Sequence, residues 1–272
     1  METTHNTNSL GIRLIIVLLV ATTWTALPAK GQEKLPSGEE LMDKYVEKSG
    51  GKEAYGRIKN RKTVAINRRS QAEVRIITHA AEPGNRHEEK QRKRADVIRG
   101  VSGDVVWGYR NNVGRIFDGA TRQEELIEAF FHMPLKWREL YEKAECKKIT
   151  KIAGKNCYEV ELTHKSGAAR FYYLDVDTML PVMVEKVLRG RGDNILTVQL
   201  FMDDYRKVDG ILYPFRVIKN YSGETNSIMK YESIEHNVDL PANQFELPPV
   251  VKELIESNNN GQAPKGQGKM GP

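Results

Sequence analysis

Residues Phe201–Asn220 read FMDDYRKVDGILYPFRVIKN, and the break in their middle decides the fold. Two partly apolar runs flank Asp209-Gly210, a pair suited to a tight hairpin turn whose central residues need positive φ. Pro214 then falls inside the second run. Proline has no amide hydrogen to give to a ladder, so it marks an edge position or a bulge that bends the strand. The stretch predicts an antiparallel hairpin within a bent, incompletely closed sheet that helices must cover.

The same pattern recurs along the chain. Ala72, Val74 and Ile76 alternate with Glu73 and Arg75, Tyr158, Val160 and Leu162 with two glutamates, and Leu196, Val198 and Leu200 with Thr197 and Gln199. Period-two alternation means antiparallel strands with one apolar face. Turn signals recur at Pro83-Gly84-Asn85, Asn111-Asn112, Ala153-Gly154-Lys155, Lys165-Ser166-Gly167, Gly190–Asp193 and Ser222-Gly223. Roughly ten or eleven strands fit, a mainly β (α+β) fold built on a large curled antiparallel sheet. Helices are predicted at two places. Ser37 and Glu40 form a capping box ahead of Leu41, Met42, Tyr45 and Val46, Gly50-Gly51 ends that helix, and a short second one follows. Between strands, TRQEELIEAFFHMPLKWRELYEK (Thr121–Lys143) reads as a helical hairpin: Thr121 and Glu124 cap it, Leu126/Phe130 and Ile127/Phe131 pair at i,i+4, and Pro134 opens a second helix carrying Leu135, Trp137, Leu140 and Tyr141.

The chain has 272 residues, a formal net charge of +6, 39% apolar and 29% charged residues, a composition that folds. Arg13 leads into LIIVLLVATTWTAL, too short to span a bilayer, which reads as a secretory signal over residues 1–31, cleaved after Ala29 or Gly31; the alternative is an uncleaved membrane anchor, disfavoured because Thr22, Thr23 and Thr25 dilute the run. One domain is expected over 32–256, and a disordered low-complexity tail over 257–272. Export places Cys146 and Cys157 where a bridge can form. A tight Gly154-Lys155 turn would set Cys157 opposite residue 152, about 20 Å along the strand from Cys146. Bridged Cα atoms lie within about 7 Å, so two free thiols are expected unless the loop is looser.

Sequence signals for chemistry are sparse. His5, His79, His87, His132, His164 and His236 show no metal-ligand spacing, and there is no nucleophile elbow or phosphate-cradling loop. No catalytic residue, metal or cofactor is expected. Asp203-Asp204 and Asp175/Asp177 read as solvated carboxylates, and Arg191-Gly192-Asp193 as turn chemistry. The basic run Lys90–Arg94 reads as a solvated strand face or edge protection, with attraction to anionic lipid as the alternative. An exported chain meets little nucleic acid. What remains is an apolar set: a concave sheet face capped by an apolar helical hairpin must be filled by those helices or by a hydrophobic ligand.

The segments ELMDKYVEKSGGKEAYGRIKN, WGYRNNVGRIFDGA, AGKNCYEVELTHKSGAARFYYLDVDTMLPVMVE, DDYRKVDGILYPFRV and SIEHNVDLPANQFELPP together resemble the LolA-like, outer-membrane lipoprotein-sorting superfamily of exported bacterial proteins. The resemblance runs from Ser37 to Pro249 and closes on Asn237, Phe245 and Pro248. It implies a half-barrel of about eleven strands covered by helices around an apolar cavity, which in the founding members carries lipoprotein acyl chains across the periplasm. The Gly-Gly-Lys-Glu-Ala helix and the tail mark a divergent branch. The implied reading is a periplasmic, monomeric, non-catalytic carrier of lipid or lipoprotein acyl chains; the alternative is an envelope sensor or scaffold that binds a protein. The candidate cavity and lid residues are Val74, Ile76, Trp107, Tyr109, Phe117, Leu126, Phe130, Phe131 and Trp137.

Overall fold

The structure, a computed structural model, describes residues 34–92, 96–111, 113–189 and 195–259. The signal segment, Lys93 and Arg94 of the basic run and the 191–193 turn lie outside them.

Two helices open the fold. In α1 (Gly38–Ser49) the Ser37 hydroxyl accepts the Glu40 amide at 3.1 Å, and Gly50 at φ +152° turns the chain into α2 (Gly51–Gly56). Six strands follow: β1 (Asn60–Arg69), β2 (Ala72–Ala81), β3 (Asn85–Gln91), β4 (Val97–Ser102), β5 (Val105–Arg110) and β6 (Val113–Phe117). After α3 (Gly119–Ala129) and the single turn α4 (Trp137–Leu140) come seven more: β7 (Tyr141–Ile152), β8 (Lys155–His164), β9 (Ala169–Asp175), β10 (Pro181–Arg189), β11 (Ile195–Val208), β12 (Ile211–Tyr221) and β13 (Glu224–His236). Helix α5 (Pro249–Asn259) closes the described chain.

Each series is an antiparallel meander, and β1 pairs with β13 to join them into one sheet of thirteen strands, ordered β6-β5-β4-β3-β2-β1-β13-β12-β11-β10-β9-β8-β7. The count exceeds the eleven expected, and β3 explains part of the difference. Its sequence, NRHEEKQ, has no apolar residue and so no alternation to detect.

Strands β6 and β7 are consecutive in the chain yet occupy opposite edges. The link between them must therefore cross the sheet, and α3 shows how. Its Glu125 pairs with Arg86 of β3, while its Glu124 and Glu128 pair with Lys186 of β10, six strands away in the sheet. On a flat sheet six spacings are roughly 29 Å, beyond the reach of one helix about 10 Å across. The sheet has to curl around α3, which lies on the concave side.

The hairpin that decided the fold is present: Val208 pairs with Ile211 across Asp209-Gly210, at φ +48° and +92°. Pro214 sits on an internal strand, but the β12–β13 ladder begins only at Arg216↔Lys230. Proline thus occupies a local edge, where β12 and β13 diverge and no amide is called for.

Side chains from alternate positions fill the two faces. On the concave side, Val160, Leu162, Tyr172, Leu174 and Val184 pack with Leu41 and Met42 of α1 and with Trp137. On the same side Phe131 joins Val46, Tyr55, Ile58 and Ile211, and Leu126 and Ala129 of α3 rest on Val101, Val106 and Phe117. The convex side carries Cys157, Tyr173, Val182 and Met183. Gly38 and Gly100 allow two close approaches: a Cβ on the first would come within 2.5 Å of the Ala144 carbonyl carbon, and on the second within 2.2 Å of the Trp107 ring.

The helical hairpin differs from expectation. Helix α3 begins at Gly119, before Thr121, and the Asp118 side chain makes no capping bond. It ends at Ala129, and Phe130 already has an extended ψ of 115°, so the Leu126/Phe130 and Ile127/Phe131 pairs do not form along one helix. Pro134 lies in a turn, and Tyr141 starts a strand. Helix α5, unforeseen, runs three residues into the stretch expected to lack structure, and Val250 and Leu254 cover Gly114 on the convex side of β6. The β7–β8 turn is Ala153-Gly154, so Cys157 faces Thr150 while Cys146 faces Val160. The two thiols are free and point to opposite faces. Burial pushes the Cys157 thiol up to about 11.

Candidate functional site

Between the curled sheet and α3 lies a cavity of about 630 Å³, partly open to solvent. Its sheet wall is divided. Leu188 of β10, Leu200 and Met202 of β11, Val217 of β12, and Met229 and Tyr231 of β13 make a mainly apolar half, interrupted by Lys219 of β12 opposite Leu200. Arg86, Glu88 and Lys90 of β3, Arg99 of β4 and Lys186 of β10 make a charged half, and α3 faces it with Glu124, Glu125 and Glu128.

Register puts these charges there. The Ile76↔Lys90 and Glu88↔Arg99 pairs place β3's charged residues on the face that also carries Ile76. Likewise Lys186↔Arg170 and Val184↔Tyr172 put Lys186 and Arg170 in line with apolar concave residues. Around α3 the pairs are tight. Arg170 Nη2 reaches Glu124 at 2.7 Å and Glu128 at 3.1 Å, Lys186 Nζ reaches Glu128 at 2.9 Å and also contacts Glu124. Glu125 binds Arg86 and, at 3.5 Å, Arg99. The side chains of Arg170 and Lys186 are only 9% and 10% exposed, so their charges survive by pairing.

Their ionisation follows. Burial alone would raise the Glu128 carboxyl, but Lys186 and then Arg170 outweigh it and hold Glu128 well below the usual carboxylate range. Burial would lower Lys186, yet Glu128 and Glu124 raise it above an ordinary lysine. Arg86 and Glu88 behave alike: each is pushed by burial toward neutrality and kept charged by neighbours of opposite sign. Two buried polar atoms on the cavity wall, Asn67 Oδ1 and Arg86 Nε, have no hydrogen-bond partner among the described residues.

Of the residues singled out from sequence, Ile76 lines this cavity. Val74 shares its face, one alternation along β2. Phe117 and Leu126 are concave but packed together beneath α3. Trp107 and Tyr109 fall on the convex face: Trp107 pairs with Gly100, stacks on Tyr109, and donates from Nε1 to Ser102 Oγ, which itself bonds the Phe245 carbonyl. Phe131 and Trp137 are each 2% exposed, in two different core clusters, and Phe130 is half-buried at the end of α3. The expected apolar pocket is therefore amphipathic, and its wall is mostly made of other residues. Lys90 of the basic run points into it, paired with Glu88 at 2.9 Å. One signal for the charged half was present in the sequence. Arg170 and Lys186 stand at apolar parity, Arg170 with Tyr172 and Leu174, Lys186 with Val184 and Leu188, where a cation is out of place unless something pairs it.

Among the described residues no cluster of three His, Cys, Asp or Glu could hold a metal, and no helix is long and apolar enough to cross a membrane. No protein-family model matches the sequence, and no curated protein matches it. Solved structures do. A DUF1329 family protein from Desulfovibrio piger superposes with a TM-score of 0.56 at 14% identity, over 78% of this chain and 98% of that one. A LolA superfamily protein from Nitrosomonas europaea gives 0.52 at 13%, over 78% and 99%. An outer membrane lipoprotein-sorting protein domain from Vibrio parahaemolyticus gives 0.52 at 14%, over 80% and 98%. At this identity the likeness shows the fold alone, a curled antiparallel half-barrel of the kind these structures share.

Proposed function

From the LolA-like fold we propose that the protein is an exported, periplasmic binding protein that holds an acyl chain of a lipid or lipoprotein in the concave cavity, without catalysing a reaction on it. The observation that carries this reading is the apolar wall from Leu188 to Tyr231 inside a cavity of about 630 Å³. That space would hold roughly twenty waters at 30 Å³ each, and a chain that displaces them gains ~0.8 kcal/mol per buried methylene. A sixteen-carbon chain would gain on the order of 12 kcal/mol gross, part of it offset by the cost of ordering the complex.

The test is native mass spectrometry of the purified protein followed by organic extraction. Acyl species should appear as discrete mass increments and in the extract. A protein that carries none, and that takes up none from added palmitate or a diacyl lipopeptide, overturns the reading.

A second reading has its own support. Phe131 and Trp137 are sealed into core clusters, each 2% exposed, so the segment between α3 and β7 already fills much of the concave face. A sheet filled this way suits a scaffold whose outer surface binds an envelope protein. Failure of every acyl ligand would leave this reading ahead.

A further inference from the structure

The acyl reading leaves the charged half of the cavity unexplained. Arg86, Arg99, Arg170 and Lys186 come from four strands, β3, β4, β9 and β10, yet the ion pairs of all four end on one short helix. An arrangement needed only for rigidity could draw its carboxylates from the sheet itself, as Lys90 does with Glu88 two residues away on β3. Here the sheet holds a cluster of cations, and three glutamates of α3 serve as their counter-anions. Those glutamates are unequally sheltered: Glu124 and Glu125 are 21% and 20% exposed, Glu128 is 35%. Glu128 is therefore the member that can turn to solvent while the helix stays seated on Leu126 and Ala129. At the same wall Arg86 Nε is a buried donor and Asn67 Oδ1 a buried acceptor, both without partners among the described residues. An unmade hydrogen bond at a buried group is costly, so the Arg86 donor favours a guest oxyanion, while the Asn67 oxygen would need a donor such as water or a hydroxyl.

We propose that Lys186, backed by Arg170 and flanked by Arg86, is the seat for the oxyanion head of an acyl amphiphile, a carboxylate or phosphate that takes the place of Glu128. The chain then lies along Leu188, Leu200, Met202 and Val217, which share the cavity with Lys186. For a carboxylate head charge is conserved in the exchange, since one anion enters the site as another leaves it for water; a phosphate monoester, at about −1.5 to −2 near pH 7, brings extra negative charge that Arg86 and Lys186 would have to meet. This rests on the acyl-binding reading and narrows it, since a neutral amphiphile would leave Glu128 where it is.

The experiment is calorimetric titration of the purified full chain with palmitate, 1-palmitoyl lysophosphatidic acid and monopalmitoylglycerol, each below its micellar concentration. At least one of the two anionic ligands is expected to bind about tenfold or more tighter than the neutral ester, as a charge-assisted hydrogen bond allows. Which of the two is favoured separates a carboxylate from a phosphate source. Glu128→Gln, by removing the resident competitor, should tighten the favoured anion by about threefold or more. The double variant Lys186→Gln with Glu128→Gln, which removes one charge of each sign and so is the more secure to fold, should abolish the preference. Equal affinity for all three ligands overturns the oxyanion seat and leaves the acyl reading standing. Binding of none overturns both. Weaker anion binding by a folded Glu128→Gln variant overturns the exchange.

Discussion

Lys186 shows how much one residue can depend on its surroundings. It occupies a position where period-two alternation calls for an apolar side chain, and it is 8% exposed. Taking an ammonium out of water costs several kcal/mol, which only close carboxylates can return. Glu124 and Glu128 supply them from a helix some sixty residues away in sequence. Lys186→Met should therefore destabilise the fold by about 3 kcal/mol, because it leaves two glutamates to share Arg170. Adding Glu128→Gln to that variant should recover part of the loss. Urea unfolding reads both, through a midpoint that shifts while the slope stays fixed.

At the scale of elements, the link from α3 to β7 is the informative segment. The sequence predicts a helical hairpin there, with Phe130 paired to Leu126 and Phe131 to Ile127 at i,i+4. Instead α3 stops at Ala129, and the chain runs on in turns that send Phe130, Phe131 and Trp137 to separate places. The consequence is measurable. Phe131→Ala and Trp137→Ala each empty a site that is 2% exposed and should cost about 3–5 kcal/mol, with or without an acyl ligand present. Phe130→Ala removes a half-buried ring at the helix end and should cost no more than about 1.5 kcal/mol. Thermal unfolding with and without palmitate checks the set. If Phe131→Ala lost stability only in the empty protein, the segment would be a moving lid rather than part of the core. The free edge offered by β7 is protected in the usual manner, with Lys147, Lys148 and Lys151 along it and register slips beside Cys146.

For the molecule as a whole, acid is the natural stress. His79, His87, His132, His164 and His236 all titrate below an ordinary histidine, burial being the first cause in each. His132 is typical: its Nε2 meets the Ile58 carbonyl at 2.7 Å, so the neutral ring donates. The unfolded chain then binds more protons than the folded one, and stability rises with pH across that interval. Stability should accordingly be full above pH 6.5, the unfolded histidine value, and fall as pH drops below it. A second loss begins below about pH 4.5, where the unfolded glutamates take up protons that Glu88 and Glu128 still refuse. Melting temperatures from pH 8 to 3.5 should show this descent in two stages. A flat profile between pH 7 and 5 would contradict the histidine assignment.

The sequence by itself determined what depends on neighbours along the chain. Ser37 and Gly50 bound α1 because capping and positive φ are local demands. Asp209-Gly210 sets the β11–β12 turn for the same reason, and alternation in β2, β8 and β11 marks the buried face of each strand. Those signals together made a bent antiparallel sheet covered by helices legible, and the half-barrel was implied by the resemblance of longer segments to the LolA-like superfamily. The cavity's chemistry was not. Glu124, Glu125 and Glu128 look like the solvated side of any surface helix until the curl of the sheet brings β3 and β10 against them. Trp107 and Tyr109 look like cavity aromatics until the register of β5 turns them outward, under the segment that ends in α5. Alternation fixes which residues share a face, but which face is concave depends on how thirteen strands close around one helix. That closure is set by pairings between residues far apart in the chain, and only the tertiary structure contains them.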